Sequence, residues 1–207
     1  MSRYLRPHCP GASVFFTVGL AARGSQVLVD KVGVLRQAVR VTKAQRPFRI
    51  DAWVVLPDHM HCLWTLPEGD ADYAIRMGAI KARFTMALRR SGFSPTPAPA
   101  NPFGAIAGRV RDGEVKRAGL KPDLQPDLQP DLQPQPRGAA ESSGRTRGNE
   151  APIWQKRYWD HHIRDDADFR AHLRYCWINP VKHGLVEHPR DWPFSSWHRD
   201  GGGDLML

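Results

Sequence analysis

The segment from Phe48 to Leu66 constrains the fold more than any other stretch. Two runs rich in β-branched and aromatic residues, Phe48–Leu56 and His59–Leu66, are broken by Pro57-Asp58. Such a pair of runs around a Pro-Asp break reads as a strand, a hairpin turn and a second strand. The second strand opens on His59-Met60-His61. Alternate side chains of a strand share a face, so His59 and His61 point the same way and can grip one cation.

Further elements fall on either side. Ser13–Val18 reads as a first strand. Residues 30–45 read as a helix, with Val32, Leu35, Val39 and Thr42 near helical spacing and Arg36, Arg40 and Lys43 on a wet face. Asp70 or Asp72 is placed to cap a second helix running to about Arg90. Trp154–Ile163 reads as a fourth strand. Asp165 or Asp166 then caps a third helix carrying Phe169, Leu173 and Trp177 on one side, with Pro180 as its stop and Gly184 as a turn. The pattern strand, helix, strand, strand, helix, strand, helix predicts an α+β fold. Its expected form is a ferredoxin-like antiparallel sheet with helices on one face.

Between these halves the composition changes. Residues 92–152 are rich in Pro, Gly, Ser and charge, and Pro-Asp-Leu-Gln recurs three times in tandem from Pro122. A four-residue repeat with proline in each unit fits neither helix nor sheet. It reads as a flexible, low-complexity insertion. Residues 1–91 and 153–207 then form a single catalytic domain.

The net charge of +9 and pI of about 9.9 favour a polyanionic partner, most often nucleic acid. Cys9, Cys62 and Cys176 form no CxxC pair, which argues against a disulfide framework or a cysteine zinc site. The chain reads as cytoplasmic. No apolar run is long enough to span a membrane, and the N-terminus leads into no signal-peptide core.

The second informative motif is Tyr175-Cys176-Trp177-Ile178-Asn179. Residues four apart on a helix share a face, so Tyr175 and Asn179 lie together. Two neutral imidazoles and an amide oxygen would leave a bound cation with its full charge, which suits Mg²⁺ or Mn²⁺. Asn179 as a helix C-cap is the ordinary alternative. Tyr175 is the candidate nucleophile, its phenolate favoured by a nearby cation. Attack on a phosphodiester would form a phosphotyrosine link and release a sugar hydroxyl. Tyr158 is the rival tyrosine, and His161 or His162 a spare ligand. For nucleic-acid contacts the candidates are Arg76, Lys81, Arg83, Arg89 and Arg90 on the second helix, while Trp159, Trp192 and Trp197 are candidates to stack on unpaired bases.

Five segments carry a resemblance to a known family. They are Trp53–His61, Ile80–Thr85, Trp154–Asp165, Tyr175–Val186 and Asp191–Trp197. In this order and spacing the chain resembles the REP-associated tyrosine transposases, relatives of small single-tyrosine insertion-sequence transposases. The resemblance implies a nuclease fold of the HUH type (two histidines around a hydrophobic residue) and a Mg²⁺ or Mn²⁺ cofactor. It implies cleavage and rejoining of single-stranded DNA from palindromic repeats that fold into hairpins, in association with the bacterial nucleoid. It gives Tyr175 the nucleophile's role and His59, His61 and Asn179 the metal site. The larger transposase relatives often carry Gln where this chain has Asn179, and the insertion at 92–152 is a further departure. Two other readings stay open: a protein that binds hairpin DNA without cutting it, and a metal-dependent hydrolase that uses water.

Overall fold

Alternation along four extended segments builds one antiparallel sheet. In the computed structural model, which describes residues 8–93 and 152–200, they are β1 (Ser13–Gly19), β2 (Arg49–Val55), β3 (His59–Thr65) and β4 (Trp159–His162). Their order is β2-β3-β1-β4. The helices are α1 (Val27–Asp30), α2 (Val32–Gln45), α3 (Tyr73–Arg90), α4 (Asp166–Lys182) and α5 (Trp197–Asp200), with a 3₁₀ turn at Pro189–Asp191. Strands and crossover helices in the sequence β1-α2-β2-β3-α3-β4, with β1 inside the sheet, make the expected ferredoxin-like α+β arrangement.

Strand period decides what each face does. Met60, Cys62 and Trp64 of β3 join Val14, Phe16 and Val18 of β1 in one core with Leu35 and Ala38 of α2 and Met77, Ile80, Phe84 and Leu88 of α3. The intervening residues point the other way. Leu63, Phe15, Ala52 and Val54 form a second core with Leu173, Cys176 and Trp177 of α4. In β2 the parity switches, since Ile50 faces the first core but so do Trp53 and Val55. A bulge between Ile50 and Ala52 supplies the extra residue that makes this switch. Both cores are therefore continuous across the hairpin.

The expectation of helices on one face holds for α2 and α3 and not for α4, which packs on the opposite face against β2 and β3. The reason lies in the strands. They are apolar on both sides, so the second face also needs a cover. Burying Leu173 and Trp177 there contributes about 1.5–3 kcal/mol per side chain. Asp165 caps α4, its carboxylate accepting the Asp168 N–H at 2.8 Å.

Pro180 does not stop α4. The helix runs through it to Lys182 and ends at Gly184, whose φ is +64°. Gly184 N–H donates to Val181 O and Leu185 N–H to Pro180 O, both at 2.9 Å. These paired bonds around a left-handed residue satisfy the last carbonyls, and glycine adopts that backbone without steric cost. Proline removes one i→i−4 bond inside the helix, and the buried flank of α4 on the sheet offsets that loss.

The fourth strand is shorter than Trp154–Ile163. Trp154 makes an isolated bridge with Leu20, and the ladder resumes at Trp159. Between them Tyr158 turns into the first core, against Phe16. The C-terminal segment covers the β2 edge, with Val55 N–H donating to Phe194 O at 2.9 Å and Ser196 N–H to Trp53 O at 2.8 Å. Of the flexible insertion expected at 92–152, residues 94–151 lie outside the described residues. Among the described residues no helix is long and apolar enough to cross a membrane.

Candidate metal and tyrosine site

The site forms where β3 begins and α4 crosses the sheet. His59 and His61 sit two apart on β3, so both face α4, with ring centroids 5.1 Å apart. Each ring is fixed through Nδ1. Asp58 meets His59 Nδ1 at 2.7 Å, and Thr17 Oγ1 meets His61 Nδ1 at 2.9 Å across the β1–β3 ladder. Asp58 itself accepts the Gly24 N–H at 2.8 Å. Holding Nδ1 leaves Nε2 of each ring as the nitrogen that could ligate a metal, as outer partners do at histidine metal sites.

Electrostatics keep His61 in the state a metal needs. Its side chain is 4% exposed, and burial, with His59 nearby, holds its pKa well below the ordinary histidine range. Burial pushes the Asp58 carboxyl upward, but hydrogen bonds from His59 and the Gly24 N–H outweigh it and hold the group ionised below its usual range.

From the other side, α4 delivers Tyr175 and Asn179. The Tyr175 ring lies edge-on to His61 at 5.1 Å and to Phe15 at 5.8 Å. Burial raises the Tyr175 pKa, and the neighbouring Asn179 amide only partly opposes it. The phenol is therefore protonated at neutral pH, and a nearby cation would favour the phenolate. Asn179 is 1% exposed and lies beside both His61 and Tyr175. It is an interior helix residue, so the C-cap alternative falls away. Its Oδ1 is buried with no hydrogen-bond partner among the described residues. A buried acceptor without a donor costs about 1–3 kcal/mol. An oxygen left so between an imidazole pair and a phenol fits a divalent cation, as the donor set of two imidazoles and one amide oxygen does.

Two further residues reach the site from the last turn of α4. Lys182 Nζ is 4.8 Å from the Tyr175 ring centroid, and the His183 ring is 4.9 Å from that of His59. Sequence reasoning missed both because it ended the helix at Pro180. The signal was present in the spacing, since 175, 179, 182 and 183 recur at helical intervals. Thr17 and Asp58 were also missed, and only strand register reveals Thr17.

Of the residues expected to touch nucleic acid, Arg76, Lys81 and Arg83 lie away from the histidine pair. Arg76 is 1% exposed, inside the first core's flank. Its guanidinium donates to Asp70 at 2.6 and 3.0 Å and to Pro47 O at 2.9 Å. Lys81 donates to Gln155 O at 3.0 Å and lies over the Trp154 and Tyr158 rings, and burial lowers its pKa. Arg83 joins α3 to α2 through Thr42 Oγ1 and Gln45 Oε1. All three belong to α3, on the face of the sheet away from His59 and His61, and each donates within the fold. Trp192 donates its indole N–H to Val55 O at 2.9 Å and packs on Phe194, pinning the C-terminal segment rather than presenting itself for stacking. Trp197 packs edge-on to Trp177. Tyr158 faces the first core, so the sheet separates it from the histidine pair.

His161 and His162 do not join the pair either. His162 Nε2 lies 3.3 Å from the Tyr73 hydroxyl. His161 Nε2 meets Asp168 Oδ2 at 2.8 Å, and His172 Nδ1 lies 3.0 Å from Asp168 Oδ1. Among the described residues, these three are the group whose metal-ligating atoms converge within 4.8 Å. The two imidazoles are stacked at 4.6 Å and 17°, so their in-plane lone pairs run side by side. Arg164 also donates to Asp168 through its backbone N–H at 3.0 Å. Burial pushes the Asp168 carboxyl up, yet these hydrogen bonds hold it at about 2. The group is a hydrogen-bonded clamp on the first turns of α4.

Comparison with known proteins supplies relatives over nearly the whole chain. The chain is 38% identical over 200 residues to the REP-associated tyrosine transposase of Escherichia coli K12, covering 97% of this chain and 85% of that one. It is 35% identical over 200 residues to a Haemophilus influenzae Rd relative given the same family name, covering 97% and 88%. A solved structure of a REP-associated tyrosine transposase bound to a REP hairpin superposes with a TM-score of 0.67 at 37% identity, covering all of this chain and 89% of that one. No protein-family model matches the chain.

Proposed function

From the premise that this chain belongs to the REP-associated tyrosine transposases, we propose that it cuts and rejoins single-stranded DNA at palindromic hairpin repeats through a phosphotyrosine at Tyr175. The observation that carries this reading is the meeting of Tyr175 and Asn179 from α4 with His61 from β3 in one buried corner. The solved relative holding a REP hairpin supports the same class of partner for this chain.

In this reading His59 and His61 hold a Mg²⁺ or Mn²⁺ ion with Asn179 as third ligand. The ion, when bound, acts as a Lewis acid that polarises the phosphoryl oxygen and favours the phenolate. Thr17 and Asp58 orient the two imidazoles. Phe15 and His61 fix the Tyr175 ring edge-on, which restricts the direction of attack. The phosphotyrosine conserves the bond energy, so a free sugar hydroxyl can attack it and rejoin strands.

The test is the covalent adduct. Hairpin DNA incubated with the protein and Mn²⁺ should yield a protein–DNA adduct that peptide mass spectrometry maps to Tyr175. Cleavage without any adduct would favour water as nucleophile, and binding without cleavage would favour a hairpin-binding protein.

A further inference from the structure

Running α4 through Pro180 has a chemical consequence. Tyr175 and Lys182 are seven residues apart, about two helical turns, so an unbroken helix sets them on one face. Lys182 Nζ lies 4.8 Å from the Tyr175 ring centroid. Its charge also reaches His61 and His183. Lys182 is exposed, and among the described ion pairs it takes part in none. The ordinary role of a lysine in a last turn is to offset the helix dipole. That role needs no particular neighbour, whereas this ammonium lies over one ring, the ring of the proposed nucleophile.

We propose that Lys182 is a catalytic residue that holds the scissile phosphate over Tyr175. The inference rests on Tyr175 as nucleophile. In the step, the bond from phosphorus to Tyr175 Oη forms and the bond from phosphorus to the leaving sugar oxygen breaks. The phenol proton passes to solvent and the leaving oxygen takes a proton from solvent, so charge and atoms balance. The diester carries one negative charge before and after. Between them the five-coordinate phosphorus carries a second, and a cation fixed beside Tyr175 stabilises that added charge more than the ground state.

The experiment is a single-turnover adduct assay on the full chain with saturating hairpin DNA and Mn²⁺, comparing wild type, Lys182→Met and Lys182→Arg. Wild type sets the reference: absence of a Tyr175 adduct there would overturn the proposed function itself. With wild type active, Lys182→Met should slow adduct formation about 100-fold at saturation. Lys182→Arg keeps the charge and should recover most of the rate. Hairpin affinity and thermal unfolding should stay near wild type, since one exposed lysine contributes a single phosphate contact. A Lys182→Met rate within about threefold of wild type at saturation, or a loss confined to affinity, would assign Lys182 to the helix end or to ordinary backbone binding. Failure of Lys182→Arg to recover the rate would overturn the charge argument as well.

Discussion

The two faces of the sheet use the same kinds of residue to opposite ends. On the α2–α3 face the cationic side chains are closed off: Arg76 satisfies Asp70 and three backbone carbonyls, and Arg83 joins two helices. On the α4 face polar groups stay open: Asn179 Oδ1 is buried without a donor, and burial makes both His61 and Tyr175 reluctant to charge. Paired cations stabilise a fold. A face that keeps unsatisfied, pKa-shifted groups in an apolar setting is where chemistry is expected, because a ligand completes it. Charge by itself does not mark a DNA surface: Arg76 and Lys81 are spent inside the fold, whereas burial keeps His61 and Tyr175 of the α4 face uncharged at neutral pH.

The largest effect that can break this contrast belongs to Tyr175→Phe. The change removes one oxygen and little volume, so α4 should keep its packing on Phe15 and His61. Cleavage and adduct should fall by about 10⁴-fold or more, as for other nucleophile deletions, with hairpin affinity retained. Cleavage at the normal rate, or an adduct at Tyr158, would erase the distinction between faces.

Arg76→Ala probes the other face. It removes a 1%-exposed guanidinium and strips Pro47 O, Arg46 O and Asp72 O of a donor. Denaturant unfolding should show a loss of about 2–4 kcal/mol. Activity per folded molecule should be unchanged, because α3 lies across the sheet from the histidines. A variant that unfolds normally but binds hairpin DNA poorly would return Arg76 to the DNA surface.

How legible this was in the sequence depends on the range of the cause. The β2–β3 hairpin and the shared face of His59 and His61 follow from strand period alone, and the Tyr175–Asn179 pairing from helix period. Three features needed tertiary information. A lysine or arginine on a helix flank reads as solvent-facing until its partner is known: the Lys81 partner Gln155 O lies 74 residues away, and Arg76 joins the nearby Asp70 to Pro47 O, 29 residues away. Proline ends most helices, yet α4 continues because its flank is buried and Gly184 closes it. The side of the sheet that α4 takes is set by Leu63, Ala52 and Val54, and the direction of the two β2 residues depends on a bulge between Ile50 and Ala52 that no local pattern announces.

Asp58→Ala sharpens the account of the active face. Asp58 does not ligate in the proposed site but fixes His59 through Nδ1 at 2.7 Å. Removing such an outer partner costs about 10–100-fold in metal affinity. Titration of Mn²⁺ followed by its electron spin resonance signal should show that loss without any DNA present. Unchanged affinity would mean that His59 is not held as a ligand.

The smallest effect concerns the clamp that seats α4, and it separates structure from chemistry on a single face. Asp168 has a folded pKa of about 2 against an ordinary value of 3.8, because His161 and Arg164 hydrogen-bond its ionised form despite burial. A depressed carboxylate pKa contributes stability that is fully present above the unfolded value and lost as pH falls through the folded one. Asp168→Asn should therefore destabilise the protein at neutral pH by about 1–2 kcal/mol, discounted for the solvent that reaches Arg164. The gap between wild type and variant should narrow as pH drops from about 4 to about 2, where wild type loses the same charge. Metal affinity should stay near wild type, since both imidazoles of this group hydrogen-bond the Asp168 carboxylate and stand apart from the His59–His61 pair. A gap that is constant across that pH range would show that the carboxylate contributes through shape rather than charge. A collapse of metal affinity in Asp168→Asn would move the cation site from the His59–His61 pair to the clamp.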